Sequence, residues 1–192
     1  MEKLRAELTA FIQGLYEGEK KVLVFGEGRP GAPVMLIGEA PGEQESLQGR
    51  PFVGKAGKNL DAFLEAAGMD RKALYVTNAV KFRPTRISDA GRVVNRTPSQ
   101  EEVKLFLPWL LREIELVNPK CVVTLGNVPL RALAGRGSTV GEAHGRFCEL
   151  GTRTLYPLYH PASIIYNPAL KAVYEADVAR FAAWYRQNVT VY

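Results

Sequence analysis

The chain has 192 residues, of which 46% are hydrophobic, and it carries a formal net charge of +5. The length fits one domain, residues 1–192, and no apolar stretch approaches the ~20 residues of a membrane-spanning helix, so we expect no membrane contact. Its two cysteines lie in apolar or strand-like contexts without C-x-x-C spacing, which favours free thiols in a reducing cytoplasm. We therefore expect a cytoplasmic monomer whose excess of basic residues favours an anionic partner such as nucleic acid.

The predicted elements alternate between strands and helices along the chain. The strand-like runs are short and apolar, and they lie at residues 33–40, 73–80, 121–127 and 153–160. Helical patterns lie between and after them, at residues 57–67, 99–117, 127–134 and 169–187. Apolar runs without polar alternation are typical of parallel strands buried on both faces. The order predicts an α/β fold, a three-layer α/β/α sandwich around a mainly parallel four-stranded sheet.

Polar or small residues stand where each predicted strand ends. These residues are Glu39, Asn78, Gly126 and His160. In open α/β sheets, ligands bind in the crevice outside the carboxyl ends of the strands. We therefore expect these four positions to converge on one site.

The glycine-rich stretch GEAPGEQESLQGRPFVGKAG follows the first predicted strand, at residues 38–57. It has neither the Gly-Lys-Ser/Thr of a Walker loop nor a G-x-G-x-x-G opening. Its carboxylates, Glu39, Glu43 and Glu45, would also repel a phosphate. A tight turn of this kind can hold a polar side chain at fixed depth beside a ligand. The alternative is that Glu39 is solvated and only caps the next turn.

Four further segments join this stretch in a recognisable order: YVTNAVKFRP, NRTP before a helix, VVTLGN and HPASIIYNP. In order and spacing, the set resembles the uracil-DNA glycosylase superfamily, and within it family 4, the iron-sulfur type. The resemblance runs from about Val24 to about Ala183. It implies a DNA repair enzyme that flips uracil out of DNA and hydrolyses its N-glycosidic bond, leaving an abasic site.

The resemblance assigns roles to residues of these segments. Glu39 and His160 are the predicted catalytic residues: Glu39 would position water beside a cationic sugar, and His160 would contact uracil O2 and stabilise the leaving anion. The predicted substrate-binding residues are Gly38, Glu45, Phe52 and Asn78. Phe52 would stack on the flipped base and Asn78 would read its edge. Without the resemblance, the alternatives are an ordinary core residue for Phe52 and, for Asn78, a residue that ends its strand by bonding its own turn.

Two segments are predicted to bind DNA. Residues 81–96 form a basic loop that also contains Lys81, and its predicted DNA-binding residues are Arg83, Arg86, Arg92 and Arg96. The alternative for this loop is a solvated, flexible segment. By resemblance, the segment after His160 enters the minor groove, and its predicted residues are Ser163, Ile164, Ile165 and Tyr166. The insert at residues 85–94 lacks the histidine of a related branch that traps uracil sites covalently, which disfavours trapping.

The chain departs from family 4 at the four cysteines that hold the iron-sulfur cluster there. The matching positions are Phe11, Gly14, Phe82 and Phe106. We therefore expect no cofactor and no metal, with a hydrophobic mini-core in the place of the cluster. Two alternatives to uracil excision stay open. One is a glycosylase for another deaminated base, hypoxanthine or xanthine, and the other is a DNA-binding relative without catalysis.

Overall fold

The computed structural model describes residues 1–189, and their strands form two sheets. The strands are β1 (Val34–Gly38), β2 (Tyr75–Asn78), β3 (Thr85–Ile87), β4 (Val93–Asn95), β5 (Cys121–Leu125), β6 (Cys148–Leu150) and β7 (Arg153–Leu158). The central sheet has the order β2-β1-β5-β7-β6. Its first four strands are parallel and match the four predicted ones, whereas β6 pairs antiparallel with β7. The sheet thus has five strands rather than the predicted four.

Helices cover both faces of the central sheet. They are α1 (Glu2–Leu15), α2 (Glu43–Gln48), α3 (Lys55–Ala66), α4 (Gln100–Val117), α5 (Asn127–Ala134), α6 (Val140–Ala143), α7 (Ser163–Tyr166) and α8 (Lys171–Asn188). Successive side chains of β1 point to opposite faces of the sheet, as in any strand. Leu36 lies in one hydrophobic cluster with Phe63 of α3 and Phe181 of α8, and Ile37 lies in a second cluster with Ile114 of α4. The predicted three-layer α/β/α sandwich is confirmed.

Helix α4 begins where the sequence predicts, because a capping box fixes its start. The Ser99 hydroxyl accepts a hydrogen bond from the Glu102 amide at 3.2 Å, and the Glu102 carboxylate accepts one from the Ser99 amide at 2.7 Å. The reciprocal pair satisfies two amides that would otherwise lack partners. It also fixes the chain just after Thr97, which lies at the carboxyl edge of the sheet.

The insert at residues 85–94 is a hairpin, not the loop that the sequence analysis predicts. Strands β3 and β4 pair antiparallel, with Thr85 opposite Asn95 and Ile87 opposite Val93. The Ser88 amide donates to the Arg92 carbonyl at 2.8 Å and closes the turn. Most of the hairpin is exposed, so its strands have no buried face. An alternation of apolar and polar residues, the usual strand signal, is therefore missing from its sequence.

A separate hydrophobic cluster lies where α1 meets α4 and the segment after β2. Phe82 and Phe106 are buried in it, with ring centroids 5.4 Å apart in edge-to-face contact. Leu8 and Ile12 of α1 pack on the same cluster. These two phenylalanines form the predicted mini-core. Phe11 does not take part in the same way, because it is 41% exposed, and a Cβ at Gly14 would meet only open space.

Candidate active site

A cavity of about 870 Å³ opens at the carboxyl edge of the parallel strands. Glu39 follows β1, Asn78 ends β2 and His160 follows β7, and all three line the cavity together with Phe52. The sheet therefore brings together the predicted residues from distant parts of the chain. Gly126, the fourth strand-end position, has φ +91°, and a Cβ there would lie 3.3 Å from the Cβ of His160. It lets the β5 end approach the histidine closely.

Gly38 lies beneath the cavity rather than in its wall. It pairs with Asn78 in the β1–β2 register, and a Cβ at Gly38 would overlap both the Phe52 ring and the Asn78 carboxamide. The absence of a side chain therefore lets an aromatic ring and an amide meet at the floor of the cavity.

Glu39 is a partly buried carboxyl group whose backbone is fixed. The Val80 amide donates to the Glu39 carbonyl at 3.1 Å, which extends the contact between the first two strands past their ends. Burial raises the pKa of Glu39, and a hydrogen bond from the Thr97 side chain opposes that rise. The carboxylate is thus poorly solvated, which makes it a stronger partner for a water molecule or a developing cation than a surface glutamate.

His160 is held in one tautomer by its own turn. The Ala162 amide donates to His160 Nδ1 at 3.2 Å, so Nδ1 is unprotonated and the proton of the neutral ring lies on Nε2. Burial lowers the pKa of His160, which favours this neutral form. The site therefore contains a neutral imidazole with one N–H donor.

Glu45, predicted to bind substrate, is fully engaged by the backbone around it. Its carboxylate accepts hydrogen bonds from the amides of Gly42 at 3.1 Å, Val53 at 3.0 Å and Gly54 at 2.8 Å. The side chain is buried, although it contributes to the cavity wall. Glu45 thus builds the loop that places Phe52.

Sequence comparison with known proteins agrees with this arrangement of site residues. The sequence model of the Uracil DNA glycosylase superfamily matches residues 25–184. The chain belongs to this superfamily. The type-4 uracil-DNA glycosylase of Saccharolobus solfataricus is 37% identical over 167 residues, which cover 82% of this chain and 74% of that protein. The type-4 uracil-DNA glycosylase of Sulfurisphaera tokodaii is 37% identical over 189 residues, covering 92% and 81%.

A solved structure supports the fold. That of Pedobacter heparinus SMUG2 is similar, with a TM-score of 0.56, and covers 97% of this chain and 84% of its own. Its sequence identity is 15%, so the likeness concerns the fold alone. Within residues 1–189, no helix has the length and apolar character to cross a bilayer.

The predicted DNA-binding arginines of residues 81–96 fall into two groups, one hydrogen-bonded to neighbouring side chains and the other exposed to solvent. Arg83 donates to Asn95 at 2.6 Å, and Arg96 makes a bidentate pair with Glu102 at 2.6 Å for each bond. The other two predicted arginines, Arg86 and Arg92, are exposed on the hairpin. Lys81 is 2% exposed, so its interpretation as part of a basic surface loop is wrong.

The segment after His160 forms the short helix α7, which includes Ser163. Its large side chains differ in exposure. Ile164 is partly buried against the main core, whereas Ile165 is 56% exposed and Tyr166 is 86% exposed. Tyr166 also lines the cavity. The two exposed side chains are therefore the ones placed to meet a large ligand.

The donor atoms of an iron-sulfur cluster are missing from the places that the superfamily resemblance indicates. Phe82 and Phe106 offer no ligand atom, and the only cysteines lie in β5 and β6. Cys121 is buried, which raises the pKa of its thiol to about 12, so the thiolate that a metal requires is disfavoured. Among residues 1–189, no group of three or more His, Cys, Asp or Glu side chains could hold a metal ion. The residues present do not fit the cluster.

Three residues near the site escape the sequence analysis. Thr97 lines the cavity together with Glu39, Lys55 lines it as well, and Arg71 donates to the Phe52 carbonyl at 3.2 Å. Thr97 lies in the NRTP segment and Lys55 in the glycine-rich stretch, so a signal existed for both. Arg71 stands in a stretch without any motif, and only the folded structure brings it to the site.

Proposed function

We propose that the protein is a monofunctional uracil-DNA glycosylase that hydrolyses the N-glycosidic bond of uracil in DNA and leaves an abasic site. The observation that carries the proposal is the convergence of Glu39, Phe52, Asn78 and His160 on one cavity. The type-4 uracil-DNA glycosylases with 37% identity over most of the chain support the same activity.

Glu39 would act on the sugar side of the bond. Departure of the base leaves oxocarbenium-like positive charge on the deoxyribose, and a poorly solvated carboxylate stabilises that charge strongly. The same carboxylate can orient a water molecule for attack.

Phe52 and Asn78 would recognise the base. The Phe52 ring and the Asn78 carboxamide meet over Gly38, so a stacked base would present its edge to the amide. A carboxamide offers an acceptor and two donors, which suit N3–H and O4 of uracil together. Cytosine presents the reversed pattern at these atoms, so the same amide would discriminate against it.

His160 would stabilise the leaving group. Its Nε2–H can donate to uracil O2, on which negative charge grows as the bond breaks. Because the ring is neutral, His160 would act as a hydrogen-bond donor and need not transfer a proton. The bond from the Ala162 amide to Nδ1 supports this role by fixing the tautomer.

DNA would be bound on two sides of the cavity. Arg86 and Arg92 are exposed on the hairpin and suited to phosphates. Ile165 and Tyr166 are exposed on α7 and suited to fill the gap that a flipped base leaves. Arg83 and Arg96 would act mainly by holding the hairpin to the body of the protein.

We also propose that the protein works without an iron-sulfur cluster, as a single-domain monomer in the cytoplasm. The apolar packing of Phe82 and Phe106 supports the loss of the cluster. Two free cysteines are in keeping with a reducing compartment.

The test uses purified protein and end-labelled oligonucleotides with single-stranded U, U:G or U:A, treated with alkali to cut abasic sites. Cleavage only after alkali, lost in Glu39→Gln and His160→Leu, is the expected result. Cleavage of hypoxanthine or xanthine substrates alone would assign another base. DNA binding without cleavage of any substrate would indicate that the protein is a DNA-binding relative without catalysis.

A further inference from the structure

Phe52 has a backbone conformation that a bulky residue rarely adopts. Its φ is +53°, and among residues 1–189 the only other non-glycine residue with positive φ is Asn118, at +50°. Asn118 ends helix α4, where the left-handed region is ordinary for asparagine. Phenylalanine, unlike asparagine, does not readily adopt positive φ, so the surrounding structure must impose the conformation of Phe52.

We propose that Arg71 is a positioning residue that holds Phe52 in this conformation and thereby sets the ring that stacks on the flipped base. The stacking step rests on the proposed function. Arg71 does not line the cavity, so its influence on the reaction would pass through Phe52.

The loop around Phe52 is bonded from both sides. Arg71 Nη2 donates to the Pro51 carbonyl at 2.9 Å and Nη1 donates to the Phe52 carbonyl at 3.2 Å. On the other side, the Glu45 carboxylate accepts from the Val53 and Gly54 amides. A guanidinium thus holds two successive carbonyls, and a carboxylate holds the two amides that follow. Together they fix the peptide planes on which φ and ψ of Phe52 depend.

Arg71 is itself held rigidly. Its Nη1 donates to Asp61 of α3 at 2.8 Å, and its side chain is 27% exposed. Arg71 begins a 3₁₀ turn that is capped by the Asp70 side chain, which accepts from the Lys72 amide at 2.9 Å. Helix α3 also packs directly on the loop, because a Cβ at Gly57 would collide with the Phe52 carbonyl. Arg71 therefore links the loop around Phe52 to helix α3 in a fixed geometry.

The planar guanidinium matters here because one group serves three oxygen atoms at once. A lysine keeps the charge but offers a single nitrogen, which cannot reach both carbonyls in the same geometry. We therefore expect Arg71→Lys to fold and to leave the Phe52 backbone under-constrained. Asp61→Asn is the matched control, since it removes the charge but keeps an Oδ1 acceptor for Arg71, and it leaves both carbonyl bonds in place.

The kinetic test is a double-mutant cycle between Arg71→Lys and Phe52→Leu on single-stranded uracil substrate. Arg71→Lys alone should lower kcat/KM by about 10- to 100-fold. In the Phe52→Leu background the same change should cost less than about twofold, because the side chain that Arg71 positions is gone. Asp61→Asn should stay within about threefold of wild type. Equal effects of Arg71→Lys in both backgrounds would overturn the proposal.

A second readout does not depend on activity. para-Fluorophenylalanine placed at position 52 reports the ring by fluorine NMR in the folded protein. Arg71→Lys should shift or broaden this resonance, Asp61→Asn should leave it nearly unchanged, and thermal melts should show both variants folded. An unchanged resonance in Arg71→Lys would refute positioning by Arg71. If wild-type protein cleaves no uracil substrate, the proposed function fails, and this spectrum alone decides the role of Arg71.

Discussion

Lys81 and Glu113 form an ion pair that is shut off from solvent, with side chains 2% and 3% exposed. The Lys81 ammonium also donates to the Thr77 hydroxyl and to the Asn78 carbonyl, both at 2.7 Å. Glu113 accepts a further hydrogen bond from the Tyr75 hydroxyl at 2.8 Å. Burial lowers the pKa of Lys81, and the Glu113 carboxylate opposes that shift. The pair therefore joins the carboxyl end of β2 to helix α4 directly behind Asn78.

We expect Lys81→Met to destabilise the protein by about 3–5 kcal/mol, because it leaves the Glu113 charge buried without its partner. The double variant Lys81→Met/Glu113→Leu should recover most of this loss, since apolar replacement of a whole buried pair is often neutral or stabilising. Urea unfolding measures both. Lys171→Met, in an exposed pair with Glu175, is the control and should change little. A single variant as stable as wild type would contradict the expectation.

The fold could be predicted because parallel strands are dense in apolar residues, and their order along the chain fixes which residues meet at one edge. Glu39, Asn78 and His160 follow from that rule. The hairpin and β6 could not be predicted, because short exposed strands have no buried face to leave a pattern. The Lys81–Glu113 pair joins residues 32 positions apart in the chain. It could not be predicted, because the sequence alone does not distinguish a buried lysine from an exposed one. Phe52 was assignable, but its constraint by Arg71 exists only in three dimensions.

Glu39→Gln should remove activity and stabilise the fold. A carboxyl group whose pKa is raised by folding favours the folded state below its unfolded pKa, and this contribution is lost as pH rises through the folded-state value. Ionised Glu39 therefore destabilises the protein at about pH 7, and Glu39→Gln should raise Tm there. At about pH 4 the gain should disappear, because wild-type Glu39 is then protonated.

Melting curves at the two pH values check the sign, with the exposed Glu65→Gln on α3 as control. A Tm for Glu39→Gln below wild type at neutral pH would show that the carboxylate is structural. For activity, the acidic limb of the kcat/KM profile should lie above the ordinary glutamate pKa, since Glu39 must be ionised in the free enzyme to act.

His160→Leu should lower kcat by about 100- to 1,000-fold, the usual loss when one donor to a developing anion is removed. His160→Gln keeps an N–H donor on a side chain of similar reach and should retain part of the rate. Single-turnover kinetics on uracil DNA separate kcat from binding. Equal losses in the two variants would argue that the imidazole ring, rather than its N–H, is what the reaction needs.

The mini-core should depend on Phe106 far more than on Phe11. Phe106→Ala removes a fully buried ring and should cost about 3–5 kcal/mol, whereas Phe11→Ala removes a partly exposed one and should cost less. Gly14→Ala should stabilise the protein by up to about 1 kcal/mol, because the position is helical and a Cβ meets open space. Urea unfolding ranks the three, and a loss for Phe11→Ala as large as that for Phe106→Ala would contradict the packing.

The hairpin should contribute to DNA binding through charge alone. Arg86→Ser/Arg92→Ser should weaken binding to uracil-free and uracil-containing duplexes alike, since phosphate contacts are independent of sequence. Each lost contact should also reduce the slope of log K against log salt by about 0.9, because fewer counterions are released. Fluorescence anisotropy at several salt concentrations measures the slope. Lys3→Ser on α1 removes an exposed charge that does not line the cavity and should leave the slope nearly unchanged. An unchanged slope in the arginine double variant would place the DNA elsewhere on the surface.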